Sequence, residues 1–213
     1  MKKRFFAVII VLLLLLSACA AETFPSPVRG TWEGRVYTSR FLGLSITVPA
    51  NWDISTRAEL AEMSGLTIFS MPHDGHPINS LAWESANDEM IYEFHIVCNL
   101  SLSSAQIEFG RISGETRGPS ETEFLRMMGE GLQQAFGEAE VDINISPEAV
   151  RLGNYNYYVL RAAVAFDMGG GVVIDMLNVF YVSFQGNYMR SITFYVVGGE
   201  AEFQEILGMF SQI

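Results

Sequence analysis

Three histidines and two cysteines are the side chains in this 213-residue chain best suited to ligate a metal or act as a nucleophile. His73 and His76 flank Asp74 in the segment Pro72-His73-Asp74-Gly75-His76-Pro77, and two histidines separated by two residues can reach one ion. Such a turn supplies no further ligand and no outer hydrogen-bonding shell, so these side chains are expected to be solvated and no metal is assigned. His95 and Cys98 invite a thiol–imidazole dyad. Three apart on a strand, however, they point to opposite faces, which leaves Cys98 as a buried, inert thiol.

The remaining chemistry thins out quickly. Gly110-Arg111-Ile112-Ser113-Gly114 is not a Gly-x-Ser-x-Gly nucleophile elbow. Met168-Gly169-Gly170-Gly171 has the glycines of a phosphate loop, but it joins two strand-like runs and offers no helix N-terminus to an anion. The chain has no lysine after Lys3, which excludes a P-loop lysine, a Schiff base and a pyridoxal-phosphate attachment. No cofactor is assigned. Acids number twenty-four, so a carboxylate pair for hydrolysis stays open as an alternative while no particular pair stands out.

The elements that would position these groups read as follows. Val36 to Ser39 and Gly43 to Val48 are short strands, with Pro49 ending the second. Thr56 and Glu59 form a capping box for a helix through Met63 that Gly65 stops. Leu66 to Met71 and Ile78 to Glu84 predict a hairpin around the histidine turn. Met90 to Ser103 alternates with period two, placing Met90, Tyr92, Phe94, Ile96, Cys98, Leu100 and Leu102 on one apolar face; a glycine-bearing connector then leads to Ser120.

Ser120 and Glu123 cap a helix whose stripe is Phe124, Met127, Met128, Gly131, Leu132, Ala135 and Phe136, with Gly137 as its stop. Strands near Val141 to Ile145 and Ala149 to Leu152 precede a meander of Tyr155 to Phe166, Val172 to Phe184 and Tyr188 to Val197. The middle strand is apolar on both faces and should be covered twice. A last helix from Glu200 carries Phe203, Ile206, Leu207 and Phe210. The fold class expected is α+β: an antiparallel β-sheet with a long C-terminal meander flanked by helices.

The N-terminus sets the address. Lys2, Lys3 and Arg4 precede an apolar run from Phe5 to Leu16, which spans only about 18 Å as a helix against a hydrocarbon core of about 30 Å. The run reads as a secretory signal that is removed, and its closing Leu16-Ser17-Ala18-Cys19 resembles the lipobox of bacterial lipoproteins. The resemblance implies cleavage before Cys19, lipid on that cysteine and an extracytoplasmic protein anchored to the cell membrane, or to an outer membrane where one exists. The expected organisation is a signal peptide over 1–18, a lipidated tether over 19–34 and one domain over 35–213. Without its leader the chain has ten arginines against twenty-four acids, a formal net charge of −14, so no nucleic acid is expected as a partner. With Cys19 acylated, Cys98 has no disulfide partner.

Tyr37, the run Phe41-Leu42-Gly43-Leu44-Ser45-Ile46-Thr47-Val48-Pro49 and Trp52, followed by helix, meander and C-terminal helix, resemble the PsbP-like domain of the extrinsic photosystem subunit and of many bacterial lipoproteins. That resemblance implies a binding or assembly role rather than catalysis, with a protein or small-ligand partner. Gly30-Thr31-Trp32 matches the Gly-x-Trp start of lipocalins, a competing ligand-carrying barrel that the helix after Ser120 interrupts. Tyr155, Tyr157, Tyr181 and Tyr195 are the candidate partner surface, expected on the sheet face opposite the helices.

Overall fold

In the computed structural model, residues 25–86, 90–112, 120–137, 139–167 and 173–213 are described. The leader, Cys19 and the Met168–Gly171 turn lie outside them. Twelve strands and four helices occupy the described residues: β1 Thr31–Glu33, β2 Val36–Ser39, β3 Leu44–Thr47, β4 Trp52–Ile54, α1 Arg57–Met63, α2 Ser80–Ser85, β5 Met90–Cys98, β6 Ser104–Arg111, α3 Glu121–Phe136, β7 Glu140–Ile145, β8 Val150–Leu152, β9 Tyr155–Asp167, β10 Val173–Gln185, β11 Tyr188–Val196, α4 Gly199–Leu207 and β12 Phe210–Gln212.

The strands form two antiparallel sheets. The smaller runs β1-β2-β3-β12; the larger runs β4-β5-β6-β11-β10-β9-β7, with β8 also paired to β9. This is the expected α+β architecture, and the meander is intact as β9, β10 and β11. Among the described residues the large sheet ends at β4 and β7, which do not pair with each other, so this strand order is not that of the closed barrel that the lipocalin alternative needs.

Alternation along the meander gives the large sheet two apolar faces. Leu177, Val179 and Tyr181 of β10 point toward the small sheet, α1, α2 and α4, where Trp32 stacks on Phe94 and Phe194 packs edge-on against Phe203 and Phe210. Phe180 and Val182 point the other way, toward Leu125 of α3, with Leu160 and Ala162 beside them. Gly129 lets α3 sit close, since a Cβ there would meet Ile143 and Leu160 at 3.3 to 3.4 Å. Both helix starts behave as their residues dictate. Thr56 and Glu59 make a reciprocal capping box, and the Ser120 hydroxyl accepts from the Glu123 amide at 3.3 Å.

Four expectations are corrected. The tether does not extend to Gly34: the Ile78 amide donates to the Pro27 carbonyl, Arg29 is buried, and β1 pairs with β2. Ile78 to Glu84 is not the second arm of a hairpin; the Asn79 side chain accepts from the Ala82 amide and starts α2, which buries Ala82 and Trp83. The connector before Ser120 contains β6, paired with both β5 and β11, while Leu100 and Leu102 sit exposed in the intervening turn. Phe210 leaves the last helix and pairs with Ile46 in β12.

A bulge at Glu93 also resets β5. Tyr92 pairs with Glu108 and Phe94 with Ile107, so the strand changes face at that point and Tyr92 leaves the core side. Glu93 turns inward and is fully buried, where Arg29 Nε donates to it at 2.9 Å, the Gly30 amide at 2.5 Å, and the Tyr37 hydroxyl also donates. Arg29 donates as well to the Pro72 carbonyl at 2.7 Å and pairs with Asp74 at 3.2 Å. This network ties the N-terminal segment and the histidine turn to the bulge.

Candidate functional site

The four tyrosines do not form one surface. Tyr157 and Tyr181 are buried in the main core, at 0 % and 8 % exposure, because the small sheet and α4 cover that face; their rings pack edge-on at 6.3 Å. Tyr155 is half-buried on the same face. Tyr195 pairs with Asn178 and therefore lies on the opposite face, edge-on against Phe180 at 6.0 Å. The expectation of a shared aromatic face fails, since covering of the sheet turns Tyr157 and Tyr181 into core and alternation puts Tyr195 on the other face.

The histidines are likewise dispersed. His73 and His76 have ring centroids 6.4 Å apart, Asp74 is drawn to Arg29, and His95 sits on β5 with its Nδ1 2.8 Å from the Ser55 hydroxyl. Among the described residues no three His, Cys, Asp or Glu side chains gather as a metal site. Cys98 is buried on the core side, across the strand from His95, so the two make no dyad.

The unexpected arrangement surrounds Tyr195. Where α3 packs over β7, β9 and β10, the sheet face is apolar. Across β11, β6 and β5 the same face turns polar. The pairings Tyr195 with Ser104, Thr193 with Gln106, and Ser191 with Glu108 line up one row of side chains, and Tyr92 and His95 of β5 continue it. Ser104, Gln106, Glu108, Ser191 and Thr193 form a buried floor, whereas Tyr92, His95 and Tyr195 are half-buried at the rim.

Glu108 is the centre of this strip. It is 9 % exposed, and its hydrogen-bonding partner is the Gln106 amide, which donates to Oε1. Burial pushes its carboxyl up to about 7, only partly offset by that bond. Tyr195 is pushed up to about 12, and Tyr92 is raised, both chiefly by burial and then by the Glu108 charge. Beside Tyr195, the Asn178 Oδ1 atom is buried and accepts no hydrogen bond. The floor thus presents a carboxylate between two phenol rings and contains no arginine or lysine, and the amide oxygen of Asn178 lies beyond Tyr195 on the same face. Chemically it is a seat for hydrogen-bond donors, and for a cationic donor most strongly.

Clefts also lie elsewhere on the described residues. One of about 280 Å³ is lined by Asp142, Asp175, Arg161 and Glu200, but Glu200 pairs with Arg161 and the two aspartates are solvent-exposed, without the enclosed acid that glycoside cleavage asks of one carboxyl. Another, about 510 Å³, is lined by Arg29, Glu33, Arg40 and Phe41 among others.

No single local motif marks the strip in the sequence. Its only signal is that Gln106 and Glu108, like Ser191 and Thr193, alternate with apolar residues inside strands that otherwise look like core.

No protein-family model and no curated protein matches the chain. Among solved structures it is similar to cyanobacterial PsbP (CyanoP) from Synechocystis sp. PCC 6803, at 11 % identity over 86 % of this chain and 98 % of that one, with a TM-score of 0.45. It is also similar to LpqN, involved in cell envelope biogenesis of Mycobacterium tuberculosis, at 12 % identity over 78 % and 76 % of the two chains, with a TM-score of 0.37.

Proposed function

We propose that this protein is an extracytoplasmic binding module without catalytic activity, anchored by lipid on Cys19, and that the strip around Glu108 receives a partner group rich in hydrogen-bond donors. The observation that carries the binding role is the enclosed carboxyl of Glu108 on a floor with no basic side chain, with the unpartnered Asn178 carbonyl further along the same sheet face, next to Tyr195. Leaving two buried acceptors underused costs folding free energy, which a donor ligand would recover. The leader and Leu16-Ser17-Ala18-Cys19 support the address.

Photo-crosslinking in cells tests the strip. A photoreactive residue at position 92 or 195 is expected to yield a specific adduct that Glu108→Gln abolishes, while the same residue at the exposed Phe69 yields none. Adducts that persist in Glu108→Gln, or that form equally from position 69, contradict the proposal.

A further inference from the structure

On the other face of the large sheet, Arg190 of β11 is a buried cation with no acid bonded to it among the described residues. It is 2 % exposed. Its guanidinium lies 3.8 Å from the centre of the Tyr155 ring, Nη1 donates to the Gln185 side-chain carbonyl at 3.0 Å, and Nη2 donates weakly to the Ser183 hydroxyl at 3.4 Å. Two of its five N–H groups are thereby used, both on neutral acceptors, and Nε has no acceptor at all.

The neighbouring groups repeat the pattern. The Tyr157 hydroxyl, fully buried on the same face, has no partner, and neither does Trp83 Nε1, whose ring packs at 5.6 Å on Tyr188, two residues before Arg190 on the same strand face. Three of the four unpartnered buried side-chain atoms in the described residues are therefore donors on one end of one face, and one of them carries a positive charge. For buried donors around a guanidinium with no acid bonded to it, the strongest chemical complement is an oxyanion.

The position also suits a reachable site. Ser183 faces Arg190 and Gln185 faces Tyr188 in the β10–β11 ladder, so the guanidinium is one step below the hairpin tip, under half-buried Gln185, Tyr188 and Tyr155. Phe41, which lines the 510 Å³ cleft, packs on Tyr155 at 5.7 Å and connects the two.

We infer that Arg190, with the Tyr157 hydroxyl, forms a binding site for a single oxyanion group, a carboxylate or a phosphate, that replaces the Gln185 carbonyl on the guanidinium. Calorimetric melting of the purified full chain tests this, in rising sodium acetate or sodium phosphate with ionic strength held constant by sodium chloride. A saturable rise in Tm with at least one of the two anions is expected, and which anion acts separates the carboxylate source from the phosphate source.

Tyr157→Phe, which keeps the ring and loses only an unpartnered hydroxyl, should melt no lower than the native protein without anion, yet bind it about tenfold more weakly. Arg190→Gln should abolish the response; should that variant fail to fold, Tyr157→Phe carries the test alone. No saturable rise with either anion, or an unchanged response in Tyr157→Phe, overturns the inference.

Discussion

Exchanging Glu108 for glutamine should stabilise the protein, and by an amount set by pH. The carboxyl rests at about 7 in the folded chain against 4.5 when free, because burial disfavours its charged form. Below about pH 4.5 both folded and unfolded states hold the proton and the group contributes nothing. Between 4.5 and about 7 the unfolded chain has released it while the folded chain retains it, so the unfolded state binds fewer protons and stability falls as pH rises. At 1.36 kcal/mol per pKa unit the accumulated loss is about 3 kcal/mol once pH exceeds about 7.

Glutamine resembles the neutral acid, keeps a carbonyl for the Gln106 amide, and cannot ionise. Urea unfolding followed by tryptophan fluorescence at about pH 4.5 and about pH 8 reads the effect: near-equal stability at the lower pH and a variant about 3 kcal/mol more stable at the higher. Taking the difference between variant and native protein removes the opposite contribution of His95, whose imidazole burial pushes down. An equal gap at both pH values, or a variant less stable at about pH 8, would refute the placement of Glu108 in an enclosed site.

Three further outcomes follow from the core. Arg29→Met strands the fully buried Glu93 and should cost about 3 to 5 kcal/mol in urea unfolding, with part recovered in the double variant Arg29→Met, Glu93→Gln. Leu125→Ala removes the buried anchor of α3 and should cost about 2 to 5 kcal/mol by the same measurement. Gly153→Ala places a Cβ 2.2 Å from the Leu42 carbonyl at a φ of +59°, so a loss of about 1 to 3 kcal/mol and a lower Tm in calorimetry are expected.

Much of this fold is written in local patterns. Thr56 with Glu59, Ser120 with Gly137, and the doubly apolar run of β10 each announce their element because the relevant interactions span a few residues or one strand. What was hidden depends on distant partners. Gln106 and Glu108 look like connector until β5 and β11 pair with them on either side, and Asn79 reads as part of a strand until its side chain is seen to accept from Ala82. The bulge is a two-strand property, so period two alone assigned Tyr92 to the core and Leu100 and Leu102 to the same strand.

The candidate site was the least legible part. Tyr155, Tyr157 and Tyr181 have the alternation of an exposed face, but only the small sheet, whose position no local pattern specifies, decides that two of them are interior. Arg190 shares a strand face with Ile192, Phe194 and Val196, so a charge stands where the alternation asks for an apolar residue, and Glu108 is a second charge, set between Ile107 and Phe109.

Mass spectrometry of the N-terminal peptide from protein purified out of the native membrane tests the proposed address and role most directly. A peptide that begins at Cys19 and carries a diacylglyceryl thioether is the expected result. An intact leader, or an unmodified thiol at Cys19, would contradict an envelope-anchored binding module.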